Sequence, residues 1–231
     1  MYFLQRGVSI VSNINHDYIQ SYLTGLLPES NEILKGLEQY AEENHVPIVT
    51  PDIAGLLRVL VKVTGALRIL EVGTAIGYSA ILMGQACSSD FCIKTIERNE
   101  EIAQIAVENI KKAGFENNIE VIVGDAGGIL ENIQGEFDLI FVDAAKGQYM
   151  DFLRQSIGKL KIGGLFICDN VLFRGMVAER SLLKRRKITI VKRLKKFLDF
   201  ISKKEELQTS IIPMGDGISI SYKLKEVKFD E

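Results

Sequence analysis

The sequence predicts an α/β fold built on a mostly parallel sheet, and three observations lead to it. Between about residues 67 and 168, short apolar runs alternate with longer helical patterns, the rhythm of repeated βα units. The segment Glu71-Val72-Gly73-Thr74-Ala75-Ile76-Gly77 follows one such run and precedes a helical pattern, so it reads as strand, tight turn and helix. Phe141-Val142-Asp143-Ala144-Ala145-Lys146 and Cys168-Asp169-Asn170-Val171 are apolar runs that end abruptly in oxygen-bearing side chains. A buried strand has that appearance where its carboxyl end opens into a site.

The elements follow in chain order. Residues 15–26 and 29–43 read as amphipathic helices, with Pro28 in the break between them. Thr50-Pro51-Asp52 starts a helix running to about residue 63, with Thr50 as N-cap, proline in the first position and an acid in the first turn. Strands are expected at 67–73, 91–96, 119–123, 137–142 and 164–168. Helices are expected at 77–88, 99–113, 127–133 and 148–160, with Gly163-Gly164 as the turn into the fifth strand. Right-handed crossovers then put helices on both faces of the sheet. The rhythm changes afterwards: a basic helix at about 181–202 precedes two strand-like runs, 208–214 and 218–224, separated by Gly215-Asp216-Gly217. That hairpin signal adds an antiparallel pair at the sheet edge and brings the strand count to seven.

The 231 residues suit a single domain, 1–231, with N-terminal helices over 1–64 and the sheet core over 65–231. The formal charge of −2 gives no global reason to expect nucleic acid. No apolar run approaches the roughly 20 residues that span a bilayer. Residues 1–13 lack the apolar core and cleavage site of a signal peptide. Cys87, Cys92 and Cys168 show neither metal-ligand nor disulfide spacing, which fits a reducing cytoplasm. His16 and His45 are expected at a surface or an interface.

Asp143, Asp169 and Asn170, brought together at strand ends, offer oxygen ligands suited to Mg²⁺ or another hard divalent cation. Lys146, three residues past the first carboxylate, adds a base. The alternative is that each aspartate only caps a following helix. The glycine turn has the spacing G-x-x-x-G, and Ala75 stands where a dinucleotide fingerprint needs its second glycine. A nucleoside ligand without a pyrophosphate does not need that gap. Glu97 ends the second strand, placed to accept from ribose hydroxyls, and Asp125 ends the third, where a carboxylate can face an adenine edge.

Taken together, Glu71–Ser79, Ile96-Glu97-Arg98, Gly124-Asp125-Ala126, Val142–Lys146 and Asp169-Asn170-Val171 resemble the motifs of class I S-adenosylmethionine-dependent methyltransferases. Within that class they resemble the cation-dependent O-methyltransferases, which include the catechol and caffeoyl-CoA enzymes. The match runs from about Glu38 to about Tyr222. Gln39–Ile48, Asp169–Gly175 and Pro213–Gly217 further resemble the bacterial tRNA 5-hydroxyuridine methyltransferases, which make 5-methoxyuridine at the wobble position.

The resemblance implies a Rossmann-like class I methyltransferase fold, a seven-stranded sheet with its last strand antiparallel. It implies S-adenosyl-L-methionine as cofactor, contacted by Val49, Glu71, Gly73, Gly77, Tyr78, Ser79, Glu97, Asp125, Ala126 and Asp143. Gly73 and Gly77 would admit the methionine portion, and Ser79 would take its carboxylate at a helix N-terminus. Glu97 would take the ribose, Asp125 and Ala126 the adenine, and Val49 with Thr50 would close over them. Asp143, Asp169 and Asn170 would hold the cation, and Lys146 and Asp143 would be catalytic. Related enzymes also suggest a homodimer through the N-terminal helices.

Residues 174–204 hold twelve Lys or Arg against two acids, Glu179 and Asp199. Val191, Leu194, Leu198 and Ile201 recur at helical spacing, so one face packs and the cations project outward. A tRNA-tracking surface and a solvated charged helix both fit. The leading reading is therefore a tRNA wobble-uridine O-methyltransferase. A catechol- or phenol-type small-molecule O-methyltransferase is the alternative, and a non-catalytic S-adenosylmethionine-binding module is a third reading. The carboxylate, amide and lysine set argues against that third reading. Met150, Phe152, Phe173 and Met176 are candidates for the acceptor pocket or for core packing, and turn chemistry explains Asp216.

Overall fold

The computed structural model describes residues 14–88 and 90–229. The reading of residues 1–13 as lacking a leader lies outside the described residues.

Three helices precede the sheet: α1 (Asp17–Gly25), α2 (Glu32–Asn44) and α3 (Pro51–Thr64). Asn31 caps α2 by accepting from Leu34 N at 3.1 Å. Helix α3 starts where expected, but Thr50 does not cap it with its side chain. Its hydroxyl donates instead to Asp52 Oδ1 at 2.5 Å. Helices α2 and α3 bury apolar faces (Leu34, Leu37, Ile53, Leu57, Val61), whereas α1 buries nothing and leaves Tyr18, Tyr22 and Leu23 exposed.

The core alternates β1 (Arg68–Val72), α4 (Tyr78–Ala86), β2 (Cys92–Glu97), α5 (Glu100–Lys112), β3 (Ile119–Val123), α6 (Ala126–Asn132), β4 (Phe137–Val142), α7 (Tyr149–Ser156) and β5 (Leu160–Cys168). It closes with α8 (Ile188–Lys203), β6 (Leu207–Ile212) and β7 (Ile218–Lys223). The seven strands lie in the order β3-β2-β1-β4-β5-β7-β6, parallel except for β7, which is antiparallel to both its neighbours. The chain moves outward in one direction from β1 and in the other from β4, so the switch point falls between these two strands. In an open parallel sheet a ligand crevice forms there.

Successive strand residues face opposite sides, and both sides are covered. Ile69, Leu139, Phe141 and Ile167 pack under α2, α3 and α4. Leu70, Ile140, Val142 and Phe166 pack under α6, α7 and α8.

Three boundaries differ from the sequence reading. The helix expected at 148–160 is two 3₁₀ turns, Lys146–Gln148 and Ile157–Lys159, flanking an α-helix that ends at Ser156. Gly163 and Gly164 lie inside β5, where the β4–β5 register shifts. Gly163 has φ +88°, and a Cβ on Gly164 would clash with the Asp138 carbonyl, so the glycines mark a strand irregularity rather than a turn. The basic helix begins at Ile188, not 181, after 3₁₀ turns at Arg180–Leu182 and Arg185–Lys187. Among the described residues, the three cysteines are free and no helix is long and apolar enough to cross a membrane.

Candidate active site

A cavity of about 990 Å³ opens at the carboxyl ends of the parallel strands, a volume suited to a nucleoside cofactor and an acceptor together. One side is lined by Val49, Gly73, Tyr78, Ser79, Glu97, Asp125 and Ala126. The other is lined by Asp143, Lys146, Asp169, Asn170, Phe173, Arg174 and Asp216.

The glycine turn builds the first side. Gly73 has φ +106°, and any Cβ there would collide with the Asp143 carbonyl, so β1 and β4 approach closely only over glycine. Gly77, at φ +85°, starts α4 and has room around it. Between them the Ala75 N–H donates to Glu97 Oε2 at 3.0 Å, and Asn99 N donates to Glu97 Oε1 at 2.9 Å. The Glu97 carboxylate thus ties two backbone segments together at the cavity wall while keeping further lone pairs. Asp125 caps α6 by accepting from Gly127 N at 3.1 Å, and Ala126 follows it on the wall. Val49 is buried at the lip.

Glu71 sits behind this turn rather than on the cavity wall. It is fully buried and accepts from the Ser79 and Thr95 hydroxyls, each at 2.5 Å. Burial pushes its carboxyl up to about 7, against the pull of the two hydroxyl donors. Ser79 therefore spends its hydroxyl on Glu71, and what it presents to the cavity is the start of α4. Tyr78 donates to Glu38 Oε1 at 2.7 Å, and burial with that carboxylate raises its phenol.

The second side is set by backbone ladders. Asp143 N donates to the Val72 carbonyl at 2.9 Å and Asp169 N to the Val142 carbonyl at 3.0 Å, so three strand ends stand in line. Lys146 Nζ lies 3.7 Å from Asp143 Oδ1. Asp169 is 2% exposed, and its Oδ1 accepts from Asn170 N at 2.6 Å. Burial and the negative charge of Asp143 push Asp169 up to about 7. Burial likewise raises Asp143, opposed by Lys146. Two crowded carboxylates, Asp169 buried and Asp143 half-buried, beside an amide and a single lysine form a donor set short of positive charge, which fits a hard divalent cation.

Neither aspartate caps a helix, so that alternative falls away. Sequence reasoning missed Asp216 and Asp52. Asp216 Oδ1 accepts from Arg174 N, its carbonyl accepts from Leu172 N at 3.0 Å, and the Gly217 carbonyl accepts from Val171 N at 2.8 Å. Gly215 N in turn donates to Asp52 Oδ2 at 3.2 Å. The turn between β6 and β7 therefore anchors the whole 171–174 loop. Asn170, Phe173 and Arg174 all adopt left-handed backbone there, at φ 55°, 47° and 56°, a cost that concentrates at functional sites. Phe152 and Phe173 line the cavity, while Met176 belongs to the core and Met150 packs against it. Asp216 carried no local signal: only the insertion of β7 beside β5 brings it to the site.

A sheet reversing between β1 and β4, a G-x-x-x-G turn with an acidic residue at the next strand end, and a carboxylate–amide–lysine set at β4 and β5 define a Rossmann-like class I methyltransferase. The O-methyltransferase family model matches residues 27–224, and the chain belongs to that family. It is similar to the caffeoyl-CoA O-methyltransferase of Populus kitakamiensis, 31% identical over 88% of this chain and 91% of that one. A crystal structure of a Staphylococcus aureus protein classed as a caffeoyl-CoA O-methyltransferase is 35% identical, with a TM-score of 0.83 over 90% of this chain and all of that one. An O-methyltransferase from Bacillus cereus in complex with SAH is 26% identical, with a TM-score of 0.78 over 89% and 97% of the two chains.

Proposed function

We propose that this O-methyltransferase moves the S-adenosylmethionine methyl group to O5 of 5-hydroxyuridine at the tRNA wobble position, giving 5-methoxyuridine, with Mg²⁺ or another divalent cation. The observation that carries the reading is that Asp143, Asp169, Asn170 and Lys146 share one cavity whose rim abuts the basic run. Arg193 of α8 donates to the Gly147 carbonyl at 3.3 Å, next to Lys146. The residue runs 39–48, 169–175 and 213–217 support the tRNA assignment.

S-adenosylmethionine supplies a sulfonium methyl, displaced in line with the bonding pair returning to sulfur. Asp143, Asp169 and Asn170 would hold the cation, which when bound stabilises an acceptor oxyanion. A vicinal oxygen pair suits such a site: 5-hydroxyuridine has O5 beside the O4 carbonyl, and a catechol has its two hydroxyls. Lys146 Nζ takes the proton of the acceptor hydroxyl, oriented by Asp143. Gly73, Gly77 and the start of α4 at Ser79 receive the methionine end, Glu97 the ribose, and Asp125 with Ala126 the adenine. Val49 and Tyr78 close the cofactor side, and Glu71 supports the turn from behind.

A small-molecule reading has one observation in its favour, the caffeoyl-CoA O-methyltransferases among the relatives. A single assay separates the two. Labelled S-adenosylmethionine is incubated with tRNA carrying 5-hydroxyuridine, with Mg²⁺ or with EDTA. Metal-dependent label in 5-methoxyuridine supports the tRNA reading, whereas label in a catechol alone overturns it. We also read the protein as a cytoplasmic homodimer, on its free cysteines and the exposed Tyr18, Tyr22 and Leu23 of α1. Light scattering at a monomer mass would sink the dimer.

A further inference from the structure

The cations that follow the 171–174 loop are concentrated as nowhere else in the sequence, with nine Lys or Arg between residues 180 and 196 and no Asp or Glu among them. Lys35, Lys94, Lys161 and Lys223 each have a carboxylate within 4.0 Å. Among the described residues, no Lys or Arg between 180 and 196 has one. Unpaired cations repel one another and destabilise the compact state slightly, so such a concentration wants a polyanion.

Two of these cations reach the edge of the cavity, one over a lining residue and one beside two others. Lys187, in the 3₁₀ turn Arg185–Lys187, places Nζ 5.8 Å from the ring centroid of Phe173, which lines the acceptor side. Arg193 reaches the Gly147 carbonyl, one residue from Lys146. Both side chains are exposed. Between them they flank the acceptor mouth, and α8 continues away with further unpaired cations on its outer face. Its 16 residues span about 24 Å, the length of roughly seven nucleotide steps at about 3.4 Å per nucleotide. A single diphosphate would need only a fraction of that.

We infer that Lys187 and Arg193 are phosphate seats on either side of the acceptor mouth, holding the RNA strand that flanks the nucleoside to be methylated, with the outer face of α8 as the track beyond them. This rests on the tRNA reading and goes further by assigning recognition to two residues outside the catalytic set. Phe173 is the structural link, because its left-handed backbone keeps the ring under Lys187 and on the cavity wall.

The test uses the full-length protein, a fluorescent anticodon stem-loop RNA, and coenzyme A as a small phosphorylated competitor. Lys187→Gln with Arg193→Gln is compared with wild type and with Lys111→Gln plus Lys112→Gln on α5, which removes equal charge. Binding is measured across a salt series. Two lost seats lower the slope of log K against log salt by about 1.4, at about 0.7 per phosphate on a single strand, and weaken binding at least tenfold. The α5 variant keeps the wild-type slope. If the Lys187/Arg193 variant binds RNA with wild-type slope and affinity, the seats are wrong while the tRNA reading stands. If the wild type ignores the stem-loop and binds coenzyme A, both fall. Thermal melts of each variant exclude unfolding as the cause.

Discussion

The Ser79 hydroxyl, at the start of α4, donates at 2.5 Å to Glu71 Oε1, buried in β1. With Thr95 donating to the other oxygen and Thr74 bonded to Thr95 at 2.6 Å, the glycine turn rests on a buried polar cluster. A carboxyl in that position prefers to be neutral.

The pH dependence follows from that preference. Glu71 stands at about 7 in the fold against an ordinary value of 4.5, so the folded chain keeps a proton that the unfolded chain has lost. The stability from this group is complete below about pH 4.5 and is lost as pH rises through about 7. The total is on the order of 3 kcal/mol. Asp143 and Asp169, also raised, tilt the wild-type curve the same way. In urea titrations, Glu71→Gln should lose less stability than wild type between about pH 5 and 8. Parallel curves would show that Glu71 does not titrate there.

Lys146→Met removes the amine and keeps the aliphatic stem. Loss of a positioned base typically lowers kcat by about 10²–10⁴, and cofactor affinity should change little. Calorimetry with S-adenosylmethionine and single-turnover assays measure the two quantities separately. An unchanged kcat rules out a catalytic Lys146.

Chelation offers a third test. EDTA should abolish methyl transfer, and added Mg²⁺ should restore it. Asp169→Asn should raise the Mg²⁺ concentration for half-maximal rate by at least about tenfold, because a charged oxygen ligand becomes a neutral one. Full activity in EDTA would remove the cation from the mechanism.

Gly73 and Gly77 should respond differently to alanine. Both have positive φ, which costs an L-residue roughly 1–2 kcal/mol, but a Cβ on Gly77 would meet the Ala106 carbonyl at an ordinary 3.5 Å, whereas one on Gly73 would overlap the Asp143 carbonyl. Gly77→Ala should fold with that modest loss. Gly73→Ala must also push β1 from β4 and should lose at least about 3 kcal/mol, the range of backbone-incompatible substitutions. Equal denaturation midpoints would contradict the close approach of Gly73 to Asp143.

Much of this was legible in the residues. Alternating apolar runs located β1 to β5, since parallel strands covered on both faces read as continuous Val/Ile/Leu/Phe segments. The strand-end residues Gly73, Glu97, Asp125, Asp143 and Asp169 come from that same local grammar. The glycines of β5 were misread because a bulge and a turn use the same residue. Asp52 and Asp216, 164 positions apart in sequence, meet through one turn, and no periodicity encodes such a meeting. Ser79 was placed by its helix start, yet its hydroxyl turns inward to Glu71.

The position of β7 imposes an order of events on a chain emerging from the ribosome. The residues proposed for the cofactor wall, from Val49 to Ala126, are synthesised before those of the acceptor side. The acceptor loop, by contrast, waits for Asp216 and Gly217 to supply its anchors and for β7 to wedge between β5 and β6. A nascent chain stalled before residue 213 would therefore possess a cofactor cradle without an acceptor mouth. Competence for methyl transfer arrives only when the last strand of the sheet slots home.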